Sequence, residues 1–322
     1  MRRITIVDIA KLAGVSPSTV SRALNDTGQI SKKLRIKIKQ IARSLKFKLN
    51  TNAVNFKNRE TKIIALIVPE VSMFFTPSLI QGITETLNKA NYQLSIYITN
   101  NKLRQEIESI NNSLAINADG IIISFSTETK NIIHLNTTIE LDVPVMIIDK
   151  SLDQKKHSEV VFNNYHDSRL CCEFLKDYNP KKVLGIFGSL SLSMTKDRLV
   201  AFQEYFPSEI SKTIHAESTS IAFDMIQSIS LEDFDAFYCM SDEVLLGLIK
   251  NINDQYTSGF CKPIICLSDG ELPKFIHPKV SYLKHDGRQM GIIASNQLLS
   301  EITNTQTERR QIEISSEIEN KL

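Results

Sequence analysis

The hydrophobic pattern after Lys62 alternates short apolar runs with longer segments of helical periodicity. The first run is Ile63–Val68, and a helix capped by Thr76 before Pro77 follows it. This alternation predicts repeated βαβ units. Most runs are apolar throughout, as buried parallel strands are. Further strands are predicted at Leu94–Ile98, Gly120–Ser124, Val145–Ile148, Val160–Phe162, Val183–Phe187, Ala236–Met240, Ile264–Leu267 and Ser281–Leu283.

The polar stretch from Asp149 to Asn163 indicates a crossover between two halves of this region. We therefore expect residues 62–322 to form an α/β domain of two lobes, each with a parallel sheet, and a cleft between them. A single doubly wound sheet containing all the strands is the alternative.

Before Lys62 the apolar residues follow helical spacing only. Thr5, followed three residues later by Asp8, predicts a capping box at the start of a first helix. Gly14 interrupts the pattern, and Ser16 before Pro17 predicts the N-cap and first position of a second helix. Two helices joined by so short a turn are typical of a helix-turn-helix.

A third helix is predicted after the break at Asp26–Gly28, with Ser31 as its N-cap. Its apolar stripe can cover the first two helices, while lysine and arginine occupy the other positions. The stripe consists of Leu34, Ile38, Ile41, Ala42 and Leu45. Residues 1–46 are thus predicted to be a three-helix headpiece.

The charge is distributed unevenly. The net charge of the 322 residues is only +2, from 38 Lys and Arg against 36 Asp and Glu. The first 62 residues hold 15 basic and 3 acidic side chains, a net +12, so the remainder carries −10. A structured basic headpiece of this kind favours a polyanionic partner, and double-stranded DNA is the one that a helix-turn-helix binds.

In a helix-turn-helix, the N-terminal part of the second helix enters the major groove. This places Pro17, Ser18, Thr19, Ser21 and Arg22 against bases or phosphates, with Val20 and Leu24 on the opposite face. Arg22 is the strongest candidate for base reading, because a guanidinium can bond guanine O6 and N7 together.

The continuous sequence Ile6-Val-Asp-Ile-Ala-Lys-Leu-Ala-Gly-Val-Ser-Pro-Ser-Thr-Val-Ser-Arg-Ala-Leu-Asn25 resembles the headpiece of the lactose-repressor (LacI) family. The resemblance implies a hinge at residues 47–61 that becomes helical on DNA, with Phe56 in the place of the leucine that wedges into the minor groove. Leu49 stands where the family usually has proline, and residues 52–55 lack an arginine often found there. The predicted DNA contacts are Thr5, Ser16, Pro17, Ser18, Thr19, Ser21, Arg22, Asn25, Ser31, Phe47, Asn50, Ala53 and Phe56.

The candidate ligand site lies at the carboxyl ends of the predicted strands, where α/β folds bind ligands. Carboxylates, an arginine and aromatic faces suit a polyhydroxylated ligand, whose hydroxyls accept and donate charge-assisted hydrogen bonds. The pair Lys196 and Arg198 weakly favours a sugar acid. The predicted ligand-binding residues are Phe74, Phe75, Asp149, Lys196, Arg198, Ser241, Asp242 and Asp269.

A simpler interpretation remains open for each aspartate, because an aspartate after a strand often caps the next helix. Asp242 and Asp167 fit that interpretation best. The family resemblance favours the ligand role instead, since Arg198–Phe202 resembles its effector-arginine motif and Ser241-Asp242 its asparagine-aspartate pair. Asp149 and Asp269 also match effector-contacting positions of the family. Gly270 stands where the family usually has a second aspartate, and His285 where glutamine is common. A single histidine such as His285 is more typical of a structural role than of a ligand contact.

Other kinds of site find no support in the sequence. The five scattered cysteines form no zinc-site spacing and are expected to be reduced thiols. No cofactor motif, nucleophile elbow or P-loop occurs, so no enzymatic activity is expected. The N-terminus has no apolar signal region, which predicts a cytoplasmic protein with no membrane association.

These observations predict a homodimeric transcriptional regulator that binds a palindromic DNA operator and is controlled by a small effector, and the family resemblance implies a repressor. The family implies a sugar, sugar acid or nucleobase as effector, and both induction and corepression remain open. A solute-binding protein of the periplasmic class shares the two-lobed fold, and a sugar-modifying enzyme is a second alternative.

Overall fold

The computed structural model describes residues 4–45, 47, 61–71, 74–150, 156–256, 259–303 and 310–319. Two compact units are present, Met1–Thr61 and Lys62–Leu322. None of the helices in these ranges combines the length and apolar composition that a membrane crossing requires.

The first unit contains three helices whose ends are set by local side-chain bonds. In α1, the Asp8 carboxylate accepts hydrogen bonds from the Thr5 backbone N–H at 2.8 Å and from its hydroxyl at 2.7 Å. Gly14, with φ 70°, ends α1 in the left-handed conformation that glycine adopts without strain. The helices are α1 (Ile6–Ala13), α2 (Pro17–Leu24) and α3 (Lys32–Ser44).

The apolar faces of these helices meet in a small core. Ile9, Val20, Ala23 and Ile38 are fully buried there, and Leu24 packs against them. Each comes from a position that the helical periodicity assigns to the inner face. The opposite face of α2 is therefore left to solvent.

The second unit alternates strands and helices, as the apolar runs predicted. The strands are β1 (Ile63–Val68), β2 (Gln93–Ile98), β3 (Gly120–Ile123), β4 (Val145–Ile148), β5 (Ser158–Phe162), β6 (Val183–Phe187), β7 (Ser211–His215), β8 (Ala236–Cys239), β9 (Ile264–Ser268), β10 (Ser281–Lys284), β11 (Gln311–Ile314) and β12 (Ile318–Glu319). The α-helices are α4 (Phe75–Lys89), α5 (Leu103–Ala115), α6 (Asn136–Glu140), α7 (Asn164–Lys176), α8 (Ser193–Tyr205), α9 (Thr219–Gln227), α10 (Asp242–Gln255) and α11 (Gly287–Ile302).

Within the described residues these strands form two six-stranded sheets, one for each lobe. Their orders are β11-β5-β4-β3-β1-β2 and β12-β10-β9-β8-β6-β7, parallel except for the β10–β12 pair. In both sheets the order reverses beside the first strand of the lobe, β1 or β6. Such a reversal opens a crevice at the carboxyl ends of the strands.

The chain passes between the lobes three times, before α7, before α11 and between β11 and β12. The prediction that Asp149–Asn163 is a polar crossover was wrong in part, because its second half is β5, a fully buried strand of the first sheet. The cap at Thr76 was also wrong, since α4 begins at Phe75 with Phe74 as N-cap.

Helices α4 and α11 approach closely because each has a glycine against the backbone of the other. A Cβ atom at Gly82 would collide with the backbone carbonyl oxygen of Arg288, and one at Gly291 with that of Leu79. Backbone atoms cannot move aside as side-chain ends can, so this packing requires glycine.

Gly82→Ala is therefore expected to lower the free energy of unfolding by about 3 kcal/mol, the upper end of overpacking effects. Urea denaturation of the full chain measures this change. Asn88→Ala, at an exposed position of the same helix, is the control and should shift stability by less than about 0.5 kcal/mol. Equal stabilities of the two variants would show that the close helix contact is not as described.

Candidate DNA-binding surface and ligand cavity

The predicted DNA-reading residues lie on the outer face of α2. Pro17, Ser18 and Arg22 are exposed, and Thr19 and Ser21 are partly exposed beside them. The Nε of Arg22 donates to the Ser18 carbonyl oxygen at 3.4 Å, and the N–H groups on its two Nη atoms remain as donors.

The remaining predicted DNA contacts occupy different environments. Thr5, Ser16, Asn25 and Ser31 are exposed at helix ends, where Ser16 accepts from the Thr19 N–H at 3.2 Å and Ser31 from the Leu34 N–H at 3.4 Å. Asn50, Ala53 and Phe56 lie outside the described residues.

Phe47 is partly buried rather than fully exposed. Its side chain packs against the headpiece core, and its N–H donates to the Ala42 carbonyl at 2.8 Å. The prediction that Phe47 also contacts DNA stays a prediction, because the residue is partly exposed.

The basic side chains of α3 are only partly neutralised within the headpiece. Lys39 contacts Asp26 at 2.7 Å and Arg35 lies 3.7 Å from the same carboxylate. The hydrogen bond from Lys39 lowers the pKa of Asp26. Lys32, Lys33 and Arg43 are exposed, so the headpiece presents a surplus of positive charge for phosphate contacts.

In the second unit, a cavity of about 420 Å³ lies at the carboxyl ends of the strands of both lobes. Its walls follow β1, β3 and β4 on one side and β6, β8, β9 and β10 on the other. Both sheets reverse their strand order at this edge, so the cavity occupies the position expected for a ligand in this fold.

Arg198, buried on α8, is the most highly coordinated side chain in the cavity wall. Its Nε and Nη2 donate to Asn164 Oδ1 at 3.0 and 2.7 Å, and its Nη1 donates to the Met240 carbonyl at 2.6 Å. Nη2 also lies 3.3 Å from His285 Nδ1. The protein therefore engages four of the five guanidinium N–H groups and fixes the orientation of the side chain.

His285 connects Arg198 to the crossover segments. Because arginine only donates, Nδ1 of His285 must be the acceptor, and its Nε2–H donates to Asp167 at 2.8 Å. Ser316 donates to the same Asp167 oxygen at 3.2 Å, and the imidazole stacks on Phe162 with centroids 4.0 Å apart. The hydrogen-bonded chain thus joins two interlobe passages, at His285 and Ser316, to the first turn of α7 at Asp167.

Burial of His285 lowers its pKa from the ordinary 6.5 to about 4, and the charge of Arg198 acts in the same direction. The folded chain therefore resists protonation of this ring. The contribution of the neutral His285 ring to the free energy of unfolding is complete above pH 6.5. It is lost as the pH falls from 6.5 through about 4.

His285→Gln should reduce this acid sensitivity, because glutamine can accept from Arg198 and donate to Asp167 without a protonation step. The wild-type chain should lose up to about 3 kcal/mol more of its unfolding free energy than the variant when acidified to pH 4. Paired urea denaturations at pH 7.5 and 4 measure the difference. A His285 ring that titrates near 6.5 by NMR would contradict this account.

Asp242 and Asp167 do not cap helices, so the capping interpretation was wrong for both. Asp242 accepts from the Ser268 hydroxyl and from the Asp269 N–H at 3.1 Å. Asn163 caps α7 by accepting from the His166 N–H, which leaves Asp167 to hold His285. Burial raises the pKa of Asp242 to about 7.

Two further carboxylates face the cavity. Asp269 accepts from the Ser78 hydroxyl, across the lobes, at 2.5 Å and from the Gly287 N–H at 3.3 Å, and burial raises its pKa. Asp149 lies in a left-handed conformation, with φ 67°, and burial raises its pKa as well. Within the described ranges, no side chain or backbone group donates to the Asp149 carboxylate.

Most of the predicted ligand residues meet at this cavity. Lys196 does not, and the prediction that it accompanies Arg198 was wrong. Residues two apart on a helix face about 200° apart, so Lys196 is exposed on α8 while Arg198 is buried. The predicted residues that line the cavity are Phe74, Phe75, Asp149, Arg198, Ser241, Asp242 and Asp269.

Several residues of the site were not predicted. Asn164 is the second residue after β5 and could have been found by inspecting that strand end. Ser78 lies inside α4 and Lys150 beside Asp149, where no sequence signal distinguishes them from ordinary polar positions. Lys150 donates to the Phe125 carbonyl at 2.7 Å.

Comparisons with known proteins agree with both units. Residues 5–50 match the family model described as bacterial regulatory proteins of the lacI family, and residues 64–273 match a periplasmic binding protein domain. The ribose operon repressor of Lactococcus lactis is 26% identical over 319 residues, covering 96% of this chain and 94% of that protein. The sucrose operon repressor of Staphylococcus xylosus is 27% identical over 312 residues, covering 95% and 96%.

The fold is also that of a solved repressor. A structure of the lac repressor dimer bound to operator and the anti-inducer ONPF superimposes with a TM-score of 0.85 at 19% identity, covering 98% of each chain. Both sequence relatives are named as repressors rather than enzymes.

Proposed function

This chain belongs to the LacI family of bacterial regulatory proteins, and from that membership we propose that it represses transcription as a homodimer whose operator affinity is set by a polyhydroxylated effector. As a sequence-specific DNA-binding regulator, it carries both parts that such control requires. The headpiece supplies the DNA contacts, and the two-lobed unit supplies the cavity.

The observation that carries the effector proposal is the position of Arg198. Its guanidinium is held by Asn164, Met240 and His285 at the edge of a cavity that Asp149, Asp242 and Asp269 also line. Fixed donors and acceptors around a cavity of about 420 Å³ suit a ligand with many hydroxyl groups. The free acceptor capacity of Asp149 is available to such a hydroxyl.

The cavity is also placed to transmit binding. Its walls come from both lobes, and Ser78 of one lobe bonds Asp269 of the other. A ligand that contacts both lobes prefers one arrangement of them, and only such differential affinity can change the operator-bound population.

The dimer follows from the way the family reads DNA, with one headpiece for each half of a symmetric operator. The solute-binding alternative does not account for the headpiece, and the enzyme alternative does not account for the two full-length relatives being named as repressors.

Selection of bound fragments from a random DNA pool by the purified full-length chain, at about 0.15 M salt, tests the regulator. The proposal expects a symmetric consensus of two half-sites. Binding that is strongly salt-dependent but has no sequence preference would reduce the headpiece to a basic patch and contradict the proposal.

A further inference from the structure

The charged groups of the cavity are predominantly acidic. Among the described residues that line it, six carboxylates face two cations, and His285 is neutral. Asp242 and Asp269 are buried and Asp149 is half-buried, whereas Glu70 and Glu217 are exposed. The buried carboxylates oppose the entry of another negative charge more strongly than the exposed ones do, because solvent screens them less. The charged lining residues are Glu70, Asp149, Lys150, Arg198, Glu217, Asp242, Glu243 and Asp269.

Arg198 is poorly prepared to hold an anion. A carboxylate or phosphate is best held by two parallel N–H groups of a guanidinium. The bonds to Asn164, Met240 and His285 leave a single N–H, on Nη1, for a ligand. One N–H is sufficient for a hydroxyl oxygen but forms only half of the fork that an acid group uses.

Lys150, the second cation, already has negative partners. Asp149 precedes it directly, and the charges of Asp149, Glu106 and Glu70 all act on its ammonium group. One of its three donors is engaged by the Phe125 carbonyl at 2.7 Å. Its positive charge is therefore largely compensated before any ligand enters.

The wall formed by Asp242 and Asp269 has no cation to compensate it. The charges that act on Asp242 come from Glu243 and Asp269, and those on Asp269 from Asp286 and Glu271, and all of them raise the pKa. These two carboxylates are instead held by hydroxyl and backbone N–H donors. An ammonium or hydroxyl donor is the complement of such a wall.

We infer that the effector carries no negative charge, being a neutral polyhydroxylated molecule or one that bears an amine, and that this cavity rejects sugar acids and sugar phosphates. The inference rests on the proposed function, which supplies the polyhydroxylated ligand. Lys196, the residue that favoured an acidic effector at the level of sequence, is exposed and outside the cavity.

The test is calorimetric titration of the full chain, at pH 7.5, with matched triplets of each common hexose and pentose parent: the neutral sugar, its 2-amino derivative and its uronic acid. For any triplet that binds, the uronic acid is expected to bind at least roughly tenfold more weakly than the neutral sugar, with the amino sugar equal or tighter. A uronic acid that binds more tightly than its neutral parent would overturn the inference while leaving the proposed function intact. Absence of binding by every triplet would instead overturn the polyhydroxylated effector itself.

Substitutions then separate charge from shape. Asp242→Asn should reduce the difference in affinity between the uronic acid and the neutral sugar. Glu243→Gln has the same expected effect and replaces Asp242→Asn if that variant folds poorly. Lys196→Ala is the matched control, because it removes an exposed charge outside the cavity. It should leave the ratio of the uronic-acid affinity to the neutral-sugar affinity unchanged. If this affinity ratio changed in Lys196→Ala but not in Asp242→Asn or Glu243→Gln, the cavity carboxylates would not be the cause of the discrimination against acids. That result would contradict the inference.

Discussion

Arg198→Ala is expected to abolish the response to effector while operator binding is retained. The substitution removes the guanidinium of the cavity wall. Its three acceptors, Asn164 Oδ1, the Met240 carbonyl and His285 Nδ1, then lose the donor that Arg198 provides. Loss of a hydrogen bond made by a charged group costs about 1.5–3 kcal/mol, so effector affinity should fall at least roughly tenfold. Fluorescence anisotropy of labelled operator, titrated with the best ligand of the sugar panel, measures both properties.

The control for this variant is Lys196→Ala on the same helix. It should retain the full response, because Lys196 is exposed and does not line the cavity. The Arg198 variant is also expected to unfold at lower urea concentration, since its abandoned acceptors remain buried. If Arg198→Ala responds to effector with unchanged affinity, the ligand does not bind in this cavity.

Arg22→Ala is expected to relax the preference for one base in each operator half-site and to cost about 1–3 kcal/mol of operator binding. Arg22 is exposed on the outer face of α2, and its backbone-bonded Nε leaves the Nη groups free to reach a base edge. Selection experiments with wild-type and variant chains, compared position by position, measure the change.

Arg22→Lys is the matched control, because lysine keeps the charge and loses the bidentate fork. It should show the same loss of base preference, with a salt dependence close to that of the wild type. Identical consensus sequences for wild type and Arg22→Ala would remove Arg22 from base recognition and leave it a phosphate contact at most.

The sequence was sufficient for the central strands and the headpiece helices. β6 was predicted with its observed ends, because a fully buried parallel strand is a continuous apolar run. β7 and β11 were not predicted, since these edge strands each bury a single residue, Ile214 and Ile314, and their sequences look polar. The cap of α4 was misplaced because Phe74 adopts φ 78°, which no sequence rule assigns to an aromatic residue.

The cavity residues were predicted to the extent that they follow strands. Arg198 was placed by its motif, but its partners Asn164 and His285 lie 34 and 87 positions away, and only the fold brings them together. The error at Lys196 was avoidable, because helical geometry alone separates it from Arg198. The bond between Asp167 and His285 joins the first turn of α7 to the crossover before α11, and no local pattern encodes such a contact.

The most direct test of the account measures the coupling between its two sites. Operator affinity is determined with and without saturating effector, and effector affinity with and without saturating operator, using the full-length chain. The account predicts that each ligand changes the affinity of the other by the same factor, of about 5-fold to 150-fold, as linkage requires. Operator and effector affinities that are each independent of the other ligand would contradict control of the headpiece by the cavity.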